Sequence, residues 1–355
     1  MILWLAGQPT PQFTPVLNRL YGEAGLPIFA YYICSDSVGG RGWGVMKLAH
    51  PHAYHQGRGC LRDFCSGYSM AGKRGLQAAV VFGYSTPVAM GLLLGCRARR
   101  IPIFTQSDSD YRQQRRKPLP RRLLKGVALR VLYPRSTRVW VIGESNARYW
   151  SSHGLRNQEY VPFESPIPVA SSDEAPNSVS GNRRAPALVL YVGRLSPEKR
   201  VEDALLAIDL LREEGMNVEL RLVGTGDLPQ AGHSPNRNRD WVQVRGAVPH
   251  NELARQYIDA DVLVLPSEVE AYGLVVREAL QFGVPVVAST VVPAARELCN
   301  FEWNLVPPRS PATLAAALKR AIELPDRWPA RPAVDTVVLY REELRRVVQQ
   351  RPVTE

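Results

Sequence analysis

Short apolar runs punctuate the chain from end to end. In the first half they are MILWLA, PIFAYYI, AAVVFGY, IPIFTQ and TRVWVIG, and in the second ALVLYVG, VELRLVG, VQVRGAV, DVLVLP and PVVAS. Each is of strand length, most are rich in β-branched or aromatic residues, and helix-like segments separate them. Strands that recur with helices between them predict parallel sheets covered on both faces. Two such series predict two doubly wound α/β domains. Between them, Pro162 to Pro186 (PFESPIPVASSDEAPNSVSGNRRAP) has no periodicity and is rich in Pro, Ser, Asn and Asp, as a linker is. The expected organisation is a first domain over 1–165, a linker over 166–186, a second domain over 187–330, and a C-terminal segment over 331–355. In that last segment Val338, Tyr340, Leu344 and Val347 fall at helical spacing. It predicts an amphipathic helix, with return to the first domain open to it.

Composition changes this picture little. The 355 residues suit two ordinary domains, and 45% hydrophobic with 22% charged residues is a globular balance. The N-terminal apolar run lacks a basic segment before it and is read as a first strand, not a signal peptide. The span Leu76 to Cys96 approaches the length of a membrane helix, but GYSTP at its centre is a turn signal that divides it into strand and helix. Five scattered cysteines suggest a reduced, cytoplasmic protein with a few buried thiols; Cys60 and Cys65 lack a second cluster at zinc-ligand spacing. The histidines His50, His52 and His55 read as polar loop ahead of metal ligands, since no acid or cysteine accompanies them at ligand spacing.

Charge changes it more. From Arg97 to Arg138, thirteen Lys or Arg face two acids, Asp108 and Asp110, so this segment carries the whole net charge of +11 and the remainder is neutral. A local patch implies a particular anionic partner. Within it, Leu123, Leu124, Val127, Ala128, Val131 and Leu132 fall at helical spacing among Arg121, Arg122, Lys125 and Arg130. Two readings stand side by side: a basic amphipathic helix lying on an anionic membrane surface through 112–130, or a domain helix whose apolar side packs on the sheet. Few aromatics interleave the patch and no nucleic-acid motif is present, which disfavours nucleic acid.

The candidate chemistry lies in the second series. After ALVLYVG, a turn carries Arg194 and Lys199 at the carboxyl end of a strand, where open α/β sheets bind ligands. After LRLVG, Gly224 and Gly226 permit close approach to backbone. After DVLVLP comes PSEVEAYGLVVREAL, with Glu268, Glu270 and Glu278. A helix beginning near Tyr272 or Gly273 leaves Glu270 in the loop and sets Glu278 more than a turn inside. The N–H groups of Tyr272, Gly273 and Leu274 then point toward a phosphate-sized anion. Glu268 is read as solvent-facing.

Taken whole, Pro266, Ser267, Glu270, Tyr272, Gly273, Leu274, Glu278, Gly283, Pro285, Val286, Val287 and Ala288 resemble the signature of the retaining glycosyltransferases of family 4. The segments VGRLSPEK, LVGTGDLP, RGAVPHNEL and DADVLVLPS stand in the expected order, so the resemblance runs from Leu188 to about Pro308. It implies the GT-B fold, two Rossmann-like domains with the active site in the cleft between them. It also implies a metal-independent retaining transferase that takes a UDP- or GDP-linked sugar as co-substrate and needs no other cofactor. With the basic segment taken into account, the expected acceptor is a glycolipid or polysaccharide intermediate. An epimerase or hydrolase on the same fold and a non-catalytic sugar-nucleotide binder remain alternatives. By position, Arg194 and Lys199 match the pair that holds the donor diphosphate, Glu270 the sugar-side carboxylate and Glu278 the ribose grip. Gly7, Gly193, Gly224, Tyr272, Gly273 and Leu274 match the donor cradle. Three positions depart from the pattern. The first turn has one glycine, Gly7; Ser107 and Asp108 stand where relatives often have a histidine, and become candidates for sugar or acceptor contact; and Pro293 replaces a usual glycine. The expected location is cytoplasmic, with attachment to the inner face of a membrane as an option.

Overall fold

The computed structural model describes residues 1–10, 13–34, 47–57, 59–111, 114, 118–162, 167, 186–226, 239–299, 301–324, 328–331 and 334–350. The chain divides into two compact units, Met1–Ser165 with Val334–Glu355, and Pro166–Ala333.

The first unit holds strands β1 (Ile2–Ala6), β2 (Ile28–Tyr32), β3 (His52–Tyr54), β4 (Ala78–Phe82), β5 (Ile103–Gln106), β6 (Arg138–Val141) and β7 (Gln158–Tyr160). Its helices are α1 (Thr14–Gly22), α2 (Cys60–Met70), α3 (Pro87–Ala98), α4 (Leu119–Leu132) and α5 (Glu144–Ser152). The strands form one parallel sheet in the order β3-β2-β1-β4-β5-β6-β7. Both faces are covered, so side chains on alternate sides of a strand are equally apolar: Leu3 and Leu5 join one core layer, and Ile2, Trp4 and Ala6 the other. The second layer is completed by α11 (Thr336–Gln350), from the far end of the chain. Val337, Tyr340 and Leu344 pack there, and the Tyr340 hydroxyl donates to Gln106 Oε1 at 2.5 Å. Two ion pairs add to the attachment, Arg138 with Glu343 at 2.6 Å and Arg19 with Asp335 at 3.0 Å.

Helix α4 departs from one of its two expected arrangements. Leu129 and Leu132 join the core layer on the sheet, but Leu123, Leu124, Val127 and Val131 are exposed. The thiols divide by burial. Cys96 and Cys299 are buried, but Cys60 and Cys65 lie exposed on α2. His50 is a structural residue, bonded to the Tyr32 hydroxyl at 2.9 Å and to Asn18 Oδ1 at 2.7 Å. Burial and the neighbouring His52 push its pKa down to about 4. His55 pairs with Asp63 at 3.2 Å. Among the described residues no group of three or more His, Cys, Asp or Glu is placed to hold a metal ion, and no helix is long and apolar enough to cross a membrane.

The second unit holds β8 (Ala187–Val192), β9 (Val218–Val223), β10 (Val242–Gly246), β11 (Val262–Leu265), β12 (Val286–Ser289) and β13 (Leu305–Val306). Its helices are α6 (Val201–Glu213), α7 (Leu253–Asp259), α8 (Leu274–Gln281), α9 (Pro293–Leu298) and α10 (Pro311–Glu323). The sheet is parallel, in the order β10-β9-β8-β11-β12-β13. Strand order reverses between β8 and β11, so the loops that follow these two strands diverge and leave a crevice at their carboxyl ends. Most of the candidate residues occupy those loops. The expected linker lies mainly outside the described residues, as do Arg115, Arg116 and Lys117 of the basic segment and Asp227 of LVGTGDLP.

Candidate functional site

Strand β8 ends at Gly193, whose φ of +154° starts the turn. The Leu195 N–H bonds to the Thr225 carbonyl at 3.0 Å, tying this turn to the one after β9. There Gly224 lies against Gly193: a Cβ on Gly224 would stand 1.9 Å from the Gly193 carbonyl oxygen, at a φ of +137°. Only glycine fits, for steric and for conformational reasons. The Tyr191 hydroxyl donates to the Arg194 carbonyl at 2.7 Å and fixes the backbone from which that side chain projects. The Arg194 side chain itself is 72% exposed, with Glu198 at 3.5 Å as a loose partner. Hydrogen bonds from Ser196 and backbone hold the Glu198 carboxyl below its usual range.

A single turn of 3-10 helix, Pro197–Lys199, then leads to Arg200, which has left-handed backbone (φ +53°) directly ahead of α6. This strained cap is held from both sides. Arg200 pairs at 2.6 Å with Asp203, which is buried, and at 2.6 Å with Glu202. The outcome is to aim Lys199 across the crevice. Its ammonium lies 2.7 Å from Glu270 Oε2, with both side chains nearly buried, and 3.4 Å from the Val269 carbonyl. The turn and the β11–α8 loop are further joined by backbone, since the N–H groups of Glu268 and Val269 both donate to the Glu198 carbonyl.

The β11–α8 loop is stiff around Glu270. The fully buried Ser267 donates its hydroxyl to Glu270 Oε2 at 3.2 Å, and the Ala271 N–H donates to Oε1 at 3.2 Å. Gly273 caps α8 at φ +96°, where a Cβ would meet Val292 Cγ1 at 2.7 Å. Helix geometry leaves the first N–H groups of α8 without intrahelical partners, and its dipole makes this end positive. Tyr272 is 3% exposed, its hydroxyl accepting from Arg277 Nε at 3.3 Å. Glu268 is solvent-facing only in part: it is half-buried and pairs at 2.8 Å with the exposed Arg309, which reaches it from a turn about forty residues on.

Glu278 has a different partner. The buried Tyr257, on α7, donates its hydroxyl to Glu278 Oε2 at 2.6 Å. Part of Glu278 remains open to solvent, yet burial of the carboxyl raises its pKa, with the Tyr257 bond acting the other way. Tyr257 carries no sequence signal, being one apolar helix residue among others and twenty-one positions from its partner. Arg200 is similarly inconspicuous, whereas Ser267 stands in the signature without a role of its own.

The other candidates lie in the first unit. Gly7 is exposed directly after β1, its carbonyl accepting from the Cys34 N–H at 2.8 Å. Ser107 follows β5 and accepts from the Ser109 N–H at 3.3 Å, while Asp108 is exposed. Asn146 fixes this loop through the Ser107 and Ser109 carbonyls, at 2.9 and 2.7 Å. Pro293 starts α9, where it needs no N–H partner, so the substitution of glycine gives a helix start.

Residues 174–332 match the model of the family described as glycosyl transferases group 1. Over 150 residues the chain is 36% identical to a glycogen synthase of Mycobacterium tuberculosis, a match covering 40% of this chain and 36% of that protein. The chain thus spans about a third of the length of the curated relatives it matches. Among solved structures, the lipopolysaccharide outer core galactosyltransferase WaaB in its apo form superposes with a TM-score of 0.67 at 16% identity, over 99% of both chains. HepE from Anabaena, solved in complex with UDP-glucose, superposes with a TM-score of 0.66 at 15% identity, again over 99% of both. These likenesses show the GT-B fold, and over residues 174–332 the chain is similar to the glycosyl transferases group 1 family.

Proposed function

We propose that this protein is a retaining, metal-independent glycosyltransferase of family 4, moving a sugar from a UDP- or GDP-linked donor to a hydroxyl of a glycolipid or polysaccharide intermediate. The observation that carries this reading is the Lys199–Glu270 pair at 2.7 Å. It sets a cation and a carboxylate side by side in the crevice between β8 and β11, against the positive end of α8. Glycogen synthase and the lipopolysaccharide galactosyltransferase, by their names, act on a polysaccharide and a glycolipid, and HepE holds UDP-glucose. Those facts support the acceptor and donor classes.

In the proposed reaction the acceptor oxygen bonds to the anomeric carbon as the bond from that carbon to the donor phosphate oxygen breaks. The acceptor proton passes to a donor phosphate oxygen, and the nucleoside diphosphate departs from the face that the acceptor enters. The negative charge that develops on the leaving phosphate falls to Arg194 and Lys199. An ammonium has three protons; Glu270 and the Val269 carbonyl take two, and the third is directed to phosphate. Gly193, Gly224, Gly273 and Leu274 let the diphosphate approach backbone, Glu270 orients the sugar, and Glu278 accepts from the ribose hydroxyls.

A thermal-shift panel of UDP-, GDP- and dTDP-sugars identifies the donor, because a bound ligand raises apparent stability with its affinity. Nucleoside diphosphate release is then followed with and without lipid-linked and polysaccharide acceptors. Release that depends on acceptor is the expected result. Equal donor turnover without acceptor would mean an epimerase or hydrolase, and binding without turnover a sugar-nucleotide binder.

A further inference from the structure

We infer that helix α4, with the basic surface around it, is a docking face for an anionic lipid bilayer. Leu119, Leu123, Val127 and Val131 recur every four residues, so they form one continuous stripe along the helix. Their exposures are 60%, 64%, 59% and 50%, and Leu124 beside them is 73% exposed. The opposite face holds the helix to the protein through the buried Leu129 and Leu132. On that inner side the one lysine of the helix, Lys125, lies over the rings of Tyr84 and Tyr149 at 5.6 and 4.9 Å. A lysine thus lies against the protein beside Leu129 and Leu132, while a whole stripe of leucine and valine faces water. Elsewhere among the described residues, exposed aliphatic side chains come singly or as the Leu206–Leu210 pair of α6.

Charge selects the occupant. Arg121 and Arg130 flank the stripe, exposed, and Arg97, Arg99, Arg100 and Arg135 are exposed nearby on the chain. Arg97 Nη1 donates to the Arg130 carbonyl at 3.0 Å, so the basic end of α3 is fastened to the carboxyl end of α4. From Tyr111 to Arg138 the sequence contains no acid at all, and Asp110, just before, is buried against Ser145. A second copy of the chain, meeting this face about a two-fold axis, would set these arginines against their own images. Nucleic acid would meet aliphatic side chains with no aromatic ring on which a base could stack. An anionic bilayer satisfies both parts at once: acyl chains take the leucine stripe, and lipid phosphates take the arginines. At fourteen residues the helix is about 21 Å long, too short to span a bilayer and suited to lying in its interface. The docking face stands independently of the transfer chemistry, and it would bring a lipid-borne acceptor to a chain that has no spanning helix among its described residues.

The test is co-sedimentation of the full chain with vesicles of phosphatidylcholine, alone or with roughly one-third phosphatidylglycerol. The protein is expected to pellet with the anionic vesicles only, and less as salt is raised. The exposed-site variants Leu123→Ser/Val127→Ser and Arg121→Gln/Arg130→Gln should each weaken binding at least tenfold, since each basic side chain at an anionic surface contributes about fivefold. Circular dichroism checks that they fold. Leu206→Ser/Leu210→Ser on α6 should bind as wild type. Wild-type protein that stays in the supernatant would overturn the inference, as would binding that both α4 variants retain in full. So would a concentration-dependent dimer that Leu123→Ser/Val127→Ser dissolves, because that outcome assigns the stripe to a second copy. None of these readouts uses donor or turnover, so failure here leaves the proposed reaction untouched.

Discussion

Replacing Lys199 by Met keeps an unbranched side chain only one atom shorter and removes its charge. In the unliganded protein Lys199 and Glu270 are 12% and 13% exposed and lie 2.7 Å apart. At an effective dielectric of about 20, a unit pair at that range attracts by roughly 6 kcal/mol, most of which only offsets the removal of both charges from water. Deleting one partner leaves the other buried without its counter-charge, a loss of about 3–5 kcal/mol in fully buried pairs. Here the Ser267 hydroxyl and the Ala271 N–H continue to serve Glu270, so we expect about 2–3 kcal/mol for Lys199→Met and a similar cost for Glu270→Gln. The double variant leaves no orphan charge. It should cost less than the two single changes together by at least about 1.5 kcal/mol. Urea unfolding of the second unit measures this directly, with m near 2 kcal/mol per molar and a midpoint shift of about 1 M for each single variant. Donor binding should separate the two changes: Lys199→Met loses affinity for the nucleoside diphosphate, whereas Glu270→Gln keeps it and loses turnover. Additive midpoints, with a coupling below about 0.5 kcal/mol, would show that the pair is solvated in solution and refute the reasoning.

Other outcomes follow from the same geometry. Gly224→Ala drives a Cβ to 1.9 Å from the Gly193 carbonyl at a left-handed φ, and should cost at least about 2 kcal/mol in thermal stability and abolish the thermal shift given by donor. Glu278→Gln should stabilise the protein more at pH 7.5 than at pH 4.5 (melting temperatures of both proteins, roughly bracketing the carboxyl range). The sign comes from burial, which raises the Glu278 pKa above 4.5; the wild-type carboxyl thus favours folding while protonated and loses that contribution as pH rises through the folded pKa, whereas glutamine does not titrate. Glu198→Gln releases Arg194 from an exposed partner at 3.5 Å, and should tighten donor binding by no more than about fivefold at low salt, measured by calorimetry. Tyr340→Phe removes the bond to the buried Gln106, and should lower the stability of the first unit by about 1–2 kcal/mol, seen as faster amide exchange in α11.

The strands visible in the sequence are the interior ones and β10. The three that gave no signal, β3, β7 and β13, all lie at sheet edges. An edge strand has one neighbour and short pairing, so HAY and QEY need neither length nor an apolar run. The site was legible where chemistry constrains residue type: the positions of Arg194, Lys199, Glu270 and Gly273 follow from strand ends and a helix start. Its supports were not. Tyr257 reaches Glu278 from another helix, Arg309 reaches Glu268 from a later turn, and Arg200 gains its left-handed backbone only through Asp203 and Glu202. Those contacts depend on how elements meet, which periodicity does not record. On α4 the spacing of leucines marked a helix with an apolar side, but spacing alone does not say whether that side faces protein or water.

The return of α11 also bears on the order in which the protein is made. The first unit is interrupted by the second, and its last helix is translated roughly 170 residues after Ser165, which at common elongation rates means about 10–30 s. For that interval the layer around Trp4, Phe104 and Trp140 lacks the side chains of Val337, Tyr340 and Leu344, and presents an aromatic cleft to the ribosome's surroundings. The second unit has no such debt, since all its strands emerge in one continuous stretch. A nascent chain stalled before Val334 should therefore carry a finished second unit beside a first unit still open and attractive to chaperones.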